Sequence, residues 1–292
     1  MQLFPTPVIT FGNVAQPPED QARAAIIPVP LEDTVSYGHG ASLGPAAIMA
    51  ASANMELYDE GLDLDVIDFG ILTRPAVAVH GGVARVLARV REAVAFELAA
   101  GRLPVVLGGE HTVTLGALEA VKEKYGPCFT VVVLDAHLDL RDEYEGNRLS
   151  HACVMRRALE LGLPVRHMGS RSVSREEMDF LREAGIEPLW AADAHTDPNW
   201  LTRALAGLDG PIYLSLDVDG LDAAAMPATG TPEPGGLTYF QTVTWLAALC
   251  RGRQVLGLDL VELSPLEGQT AWDFTAARLL YRAMGLILRE AR

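Results

Sequence analysis

Several things are scarce in this 292-residue chain, and each scarcity narrows what it does. Only three cysteines occur, Cys128, Cys153 and Cys250, without the spacing of a disulfide framework. That argues against a cross-linked scaffold and leads us to expect a cytoplasmic protein. No apolar run approaches the ~18 residues that a membrane span needs. The opening stretch MQLFPTPVITFGNVAQPPED has no basic n-region and several prolines, so no signal peptide is expected. Basic residues are also few, 23 against 38 acidic, for a formal charge of −15. Nucleic acid and anionic membranes are therefore poor partners, whereas a small cationic molecule or bound metal cations suit the field. No repeat, low-complexity tract or linker interrupts the chain. A single domain over 1–292 is expected, with 1–23 as an N-terminal extension.

What is present is apolar and alternating. Hydrophobic residues make up 49% of the chain, ample for a large core. AAIIPVPL (24–31), LPVVLGG (103–109), FTVVVLD (129–135), VRHMGS (165–170), PIYLSLD (211–217) and QVLGLDL (254–260) read as short buried strands. Residues 81–101 and 175–185 carry helical periodicity and close on Gly101 and Gly185; Ser174 is the expected N-cap of the second. The last segment reads as a helix capped by Asp273. Continuous apolar strands between helices predict a three-layer α/β/α fold with a mostly parallel central sheet. In such sheets ligands bind at the carboxyl ends of the strands.

Three strand ends carry metal-binding chemistry. VVVLDAHLDL runs an apolar strand into Asp135, His137 and Asp139, spaced by two; in extended geometry such alternate side chains share a face. SLDVDGLD places Asp217 and Asp219 after another strand, and VVLGGEHT places His111 after a third, at the start of a helix. Singly, each has an ordinary reading as a turn or helix-start residue. Together, two histidines and four aspartates on one rim exceed the usual protein ligands of one ion and suit two divalent ions bridged by shared carboxylates. Without cations, four clustered carboxylates would repel severely.

GGEHT, DAHLD, SLDVDGLD and GLDLVELSP together resemble the ureohydrolases, the binuclear-manganese family containing arginase and agmatinase, over about residues 24–290. The resemblance implies two Mn²⁺ ions. One would be held by His111, Asp135, Asp139 and Asp217, the other by Asp135, His137, Asp217 and Asp219, with Asp135 and Asp217 bridging. Within the family, VPLEDTVSYGHGASLGPAAIMAASANMELYD, LDLRDEYEGNRLSHACVMRRA and MPATGTPEPGGL are most similar to agmatinase. One departure is Ala223, where the family usually has proline.

The resemblance implies hydrolysis of a small cationic guanidino substrate, agmatine to putrescine and urea. Water activated by the ions would attack the guanidinium carbon. Asp139 would orient that nucleophile, Glu262 would bind the guanidinium, and His151 would act as general acid or proton shuttle. Asp142 and Tyr144, with their neighbours Glu143 and Glu145, are expected near the entrance, where carboxylates attract an amine; Arg141 and Arg148 flank the same loop and offer a carboxylate a partner instead. A homotrimer or homohexamer is implied. Alternatives are a ureohydrolase acting on 4-guanidinobutyrate or arginine, a guanidine-cleaving enzyme with Cys153 as nucleophile, and a non-catalytic polyamine- or metal-binding relative.

Overall fold

The computed structural model describes residues 9–291. These form one eight-stranded sheet in which every pairing is parallel, and a small hairpin outside it. The strands are β1 (Ala24–Val29), β4 (Ile71–Thr73), β5 (Leu103–Gly108), β6 (Thr130–Leu134), β7 (Val165–Ser170), β8 (Leu189–Trp190), β9 (Ile212–Asp217) and β10 (Val255–Val261); the hairpin is β2 (Tyr58–Asp59) with β3 (Leu64–Asp65). Their order across the sheet is β4-β1-β5-β10-β9-β6-β7-β8.

Burial explains the choice of strand. β1, β9 and most of β5, β6 and β10 are buried along their length, as apolar strands covered on both faces must be. One face packs on α1 (Gly44–Ser52), α6 (Ala191–Thr196), α7 (Trp200–Leu205), α8 (Tyr239–Cys250) and α9 (Ala271–Glu290); the other packs on α2 (Val83–Ala99), α3 (Val113–Tyr125), α4 (Val154–Glu160) and α5 (Arg175–Ala184). The result is the three-layer α/β/α arrangement expected from the sequence.

The expected helices are found with small shifts. Ser174 caps α5 through a reciprocal capping box with Glu177. Asp273 is not a cap: α9 starts two residues earlier, at Ala271, and Asp273 lies in its first turn. Of the stretch 1–23, residues 1–8 lie outside the described residues. The remainder is tied to the core, because Phe11 is buried against Tyr281 and its amide donates to Thr73.

The strand order matters most for the site. β10, last in sequence, lies between β5 and β9, so the carboxyl ends of β5, β10, β9 and β6 are consecutive along one rim. Gly109, just after β5, keeps the rim compact: a Cβ there would meet the Leu31 carbonyl oxygen at 2.0 Å. Its own carbonyl accepts the Glu262 amide at 2.8 Å, joining the ends of β5 and β10.

Candidate metal centre and active site

All six expected ligands meet on this rim. His111 sits in the turn before α3, Asp135, His137 and Asp139 follow β6, and Asp217 and Asp219 follow β9. Two groups have ligand atoms mutually within 4.8 Å: His111, Asp135 and Asp217, and Asp135, His137 and Asp219. Asp135 belongs to both. Asp139 joins the first group through its Oδ2, 3.0 Å from His111 Nδ1.

The convergence does not come from strand alternation, as the spacing led us to expect. β6 ends at Leu134, and Asp139 has φ +53°, outside extended geometry. The chain instead folds into a turn in which Asp135 Oδ1 accepts the His137 amide at 2.6 Å. Asp219 Oδ1 accepts the Ala136 amide, and Asp217 Oδ1 accepts the Asp219 amide. The Asp139 carbonyl accepts the amides of Met155 and Arg156 at the start of α4. These bonds occupy one oxygen of Asp135, Asp217 and Asp219 and leave the other to the cluster.

The donor set fits divalent cations. His111 Nδ1 is buried with no aligned hydrogen bond among the described residues, yet three carboxylate oxygens surround it: Asp139 Oδ2 at 3.0 Å, Asp135 Oδ2 at 3.1 Å and Asp217 Oδ2 at 3.5 Å. His137 Nδ1 faces Asp219 Oδ2 at 3.0 Å. Protons respond to the same crowding. Burial raises Asp217 well above the carboxylate range, assisted by the charges of Asp219 and Asp135, and burial with Asp135 raises Asp139 to about 7. Burial opposes charging of His137, but Asp219 and Asp135 overcome it and lift the imidazole to about 12. Buried carboxylates that must either take up protons or pull them onto neighbouring imidazoles are what bound cations relieve.

The ring of His111 is aimed from behind: its Nε2 lies 2.9 Å from Ser215 Oγ, which itself donates to the buried Asp259, as does the Tyr213 hydroxyl. Sequence reasoning missed this chain of groups, although a lone Asp inside the apolar run of β10 is its signature.

Glu262, at the end of β10, accepts the His111 amide at 2.6 Å and holds φ +66°. Burial pushes its carboxyl up to about 8, against the pull of the His111 amide. His151 lies across the cluster. Burial, together with the positive His111 and His137, lowers its imidazole to about 4, so it is neutral near pH 7. Thr34 Oγ1 donates to Glu110 at 3.0 Å and stands 3.2 Å from His151 Nδ1. Ser150 Oγ stands 3.3 Å from the same nitrogen, so two hydroxyls hold the Nδ1 edge of the ring. The Tyr144 ring meets His151 edge-on at 5.7 Å between centroids.

The cluster floors a cavity of about 320 Å³ lined also by Val35, Tyr37, Arg141, Val173 and Glu233. Tyr144, His151 and Glu262 line it; Asp142 does not. Asp142 is paired with Arg148 at 2.7 Å and Arg157 at 2.8 Å, so it is turned away from the substrate role expected of it. Glu143 and Glu145 are exposed and likewise absent from the lining. Of the flanking arginines, Arg148 is committed to Asp142 and Glu160, whereas Arg141 lies over the Tyr144 ring at 5.4 Å. Cys153 is fully buried, and burial raises its thiol to about 11. A thiol held protonated and away from solvent has neither the charge nor the access of a nucleophile.

A profile of the arginase family matches residues 22–285. The N(1)-aminopropylagmatine ureohydrolase of Synechocystis sp. is 39% identical over 271 residues, 90% of this chain and 89% of that protein. The agmatinase of Pyrococcus horikoshii is 36% identical, covering 90% of this chain and 92% of its own. The crystal structure of agmatine ureohydrolase of Thermoplasma volcanium superimposes with a TM-score of 0.85 at 31% identity, covering 93% of this chain and 92% of that one. With the profile spanning nearly the whole chain and these relatives matched end to end, the protein belongs to the arginase family of ureohydrolases.

Proposed function

We propose that the protein is a binuclear-manganese ureohydrolase that cleaves agmatine, or an agmatine bearing a longer amine arm, into an amine and urea. The observation that carries this is the sharing of Asp135 between two ligand groups on the floor of one cavity. Asp135, with Asp217 beside it, would bridge the ions; His111 and Asp139 would complete one site and His137 and Asp219 the other. Bound there, two divalent ions would lower the pKa of a water toward ~7 and offset the charge of the clustered aspartates.

The remaining groups fall into roles set by their positions. The Glu262 carboxylate, held by the His111 amide, accepts the guanidinium N–H groups. Asp139 accepts the hydrogen bond of the attacking water. The oxygen adds to the guanidinium carbon, and the bond from that carbon to the alkyl-bearing nitrogen breaks. His151, neutral near pH 7, receives the proton released from the water and passes it to the leaving amine. The products are urea and the amine; from agmatine, putrescine.

The test is urea release from agmatine, N(1)-aminopropylagmatine, arginine and 4-guanidinobutyrate under matched conditions, with chelation abolishing turnover and Mn²⁺ restoring it. Full activity in a chelated, metal-free sample sinks the reading. A second reading, 4-guanidinobutyrate, is favoured by one observation: Arg141 lines the cavity and its guanidinium has no carboxylate partner among the described residues. A higher kcat/KM for that substrate than for either amine decides for it.

A further inference from the structure

The cavity holds three glutamates besides the aspartate cluster: Glu177, Glu233 and Glu262. Two are already occupied. Glu177 caps α5 and accepts the Leu140 amide, and Glu262 accepts the His111 amide. Glu233 is half-buried, and its carboxylate makes no direct hydrogen bond or ion pair among the described residues, although the Arg171 guanidinium lies within electrostatic range of it.

The backbone beneath it is held firmly. Arg171 Nη2 donates to the carbonyls of Glu233 at 2.7 Å, Asp219 at 2.7 Å and Leu221 at 3.1 Å. Its Nε donates to the Pro234 carbonyl and its Nη1 to that of Gly169. Asp222 Oδ2 accepts the amides of Gly235 and Gly236, and the Gly38 amide donates to the Gly230 carbonyl. One nitrogen of Arg171 thus bonds both to the residue expected to bind metal, Asp219, and to Glu233. Arg171 ties the Glu233 loop to the backbone of the metal-site loop.

We propose that Glu233 is a specificity-determining residue that pairs with the ammonium on the arm of the substrate, with Arg171 positioning its loop; this rests on the ureohydrolase reading above. A guanidinium seated against Glu262 leaves its alkyl arm within the same cavity, whose lining includes Val35, Tyr37, Val173 and Glu233. An ammonium at the end of that arm meets a carboxylate that needs no bond broken to receive it. A carboxylate-terminated arm meets repulsion at the same place and must turn to Arg141.

Three guanidines discriminate the possibilities: agmatine, N(1)-aminopropylagmatine and n-butylguanidine, which keeps the four-carbon arm without the ammonium. In E233Q the ratio of kcat/KM for agmatine to that for butylguanidine should fall about tenfold or more, the value of a charge-assisted hydrogen bond. The loss should appear chiefly in KM, as removal of uniform binding does. E233D, which keeps the charge, should recover part of the ratio. An E233Q ratio within twofold of wild type, or a wild type that turns over butylguanidine as well as agmatine, overturns the role of Glu233 and leaves the ureohydrolase reading standing. A wild type that releases urea from none of the three, yet does so from 4-guanidinobutyrate or arginine, overturns this inference and leaves the ureohydrolase reading standing; release from none of the five refutes both.

Discussion

His111 and Asp259 are joined through one hydroxyl: His111 Nε2 lies 2.9 Å from Ser215 Oγ, which donates to Asp259 Oδ1 at 2.6 Å. The single proton of Ser215 goes to Asp259, so Ser215 must accept from His111. That holds a proton on Nε2, so when the ring gives up its second proton the Nδ1 lone pair is the one freed, and it faces the aspartates. Replacing Ser215 by Ala removes the acceptor and loosens both tautomer and ring angle. Metal affinity should fall about 10–100-fold, read by calorimetry on the chelated protein. An unchanged affinity would show that ring packing alone aims His111.

Asp135 and His111 should differ in how many ions they hold. Asp135 lies in both ligand groups and His111 in one. Elemental analysis of D135N should find both metals lost, and of H111N roughly one. Equal loss in the two variants contradicts the bridging assignment.

Loading the metal should acidify the solution. In the metal-free protein His137 is raised to about 12, and His111 is raised well above its ordinary value despite burial, by Asp135 and Asp139. Both carry protons at pH 7, and each must lose one to become a ligand. Asp139, raised to about 7, and Asp217, raised by burial, add to this release, so adding Mn²⁺ in weak buffer at pH 7 should release at least two protons per chain, and affinity should weaken as pH falls. Uptake of metal without proton release would place the ions elsewhere.

The acid limb of stability should depend on Glu32. Burial opposes its charge, but Ser42 and Gly40 supply hydrogen bonds that outweigh it and hold the carboxyl down at about 2. A folded value below the unfolded 4.5 stabilises above 4.5, and that contribution disappears as pH falls from 4.5 toward 2. E32Q should lower Tm at neutral pH, and its deficit relative to wild type should shrink across this window. A deficit independent of pH would mean that the loss is one of packing.

The cluster was legible in the sequence because its chemistry is local. Each motif sits directly after an apolar strand, and in a parallel sheet every strand delivers its end to the same rim. The reason given for the DAHLD convergence was nevertheless wrong: the positive φ of Asp139 breaks the alternation, and no spacing rule reports a left-handed residue. The loop after it was misread for another reason. Asp142 was expected near the entrance, but its carboxylate is held by Arg157, fifteen residues on. Glu233 and Arg171 were invisible as a pair, because their bond spans 62 residues and joins a side chain to a backbone carbonyl, which carries no residue signature.

β10 is the last strand to be synthesised and a central one in the sheet. Until residues 255–262 have left the ribosome, β5 and β9 lack the neighbour that joins them, and His111 is not fixed beside Asp217. A nascent chain therefore carries all six expected ligands well before it can arrange them. Metal capture should follow the synthesis of β10, and a chain truncated before Val255 should keep every expected ligand while losing the arrangement of the cluster.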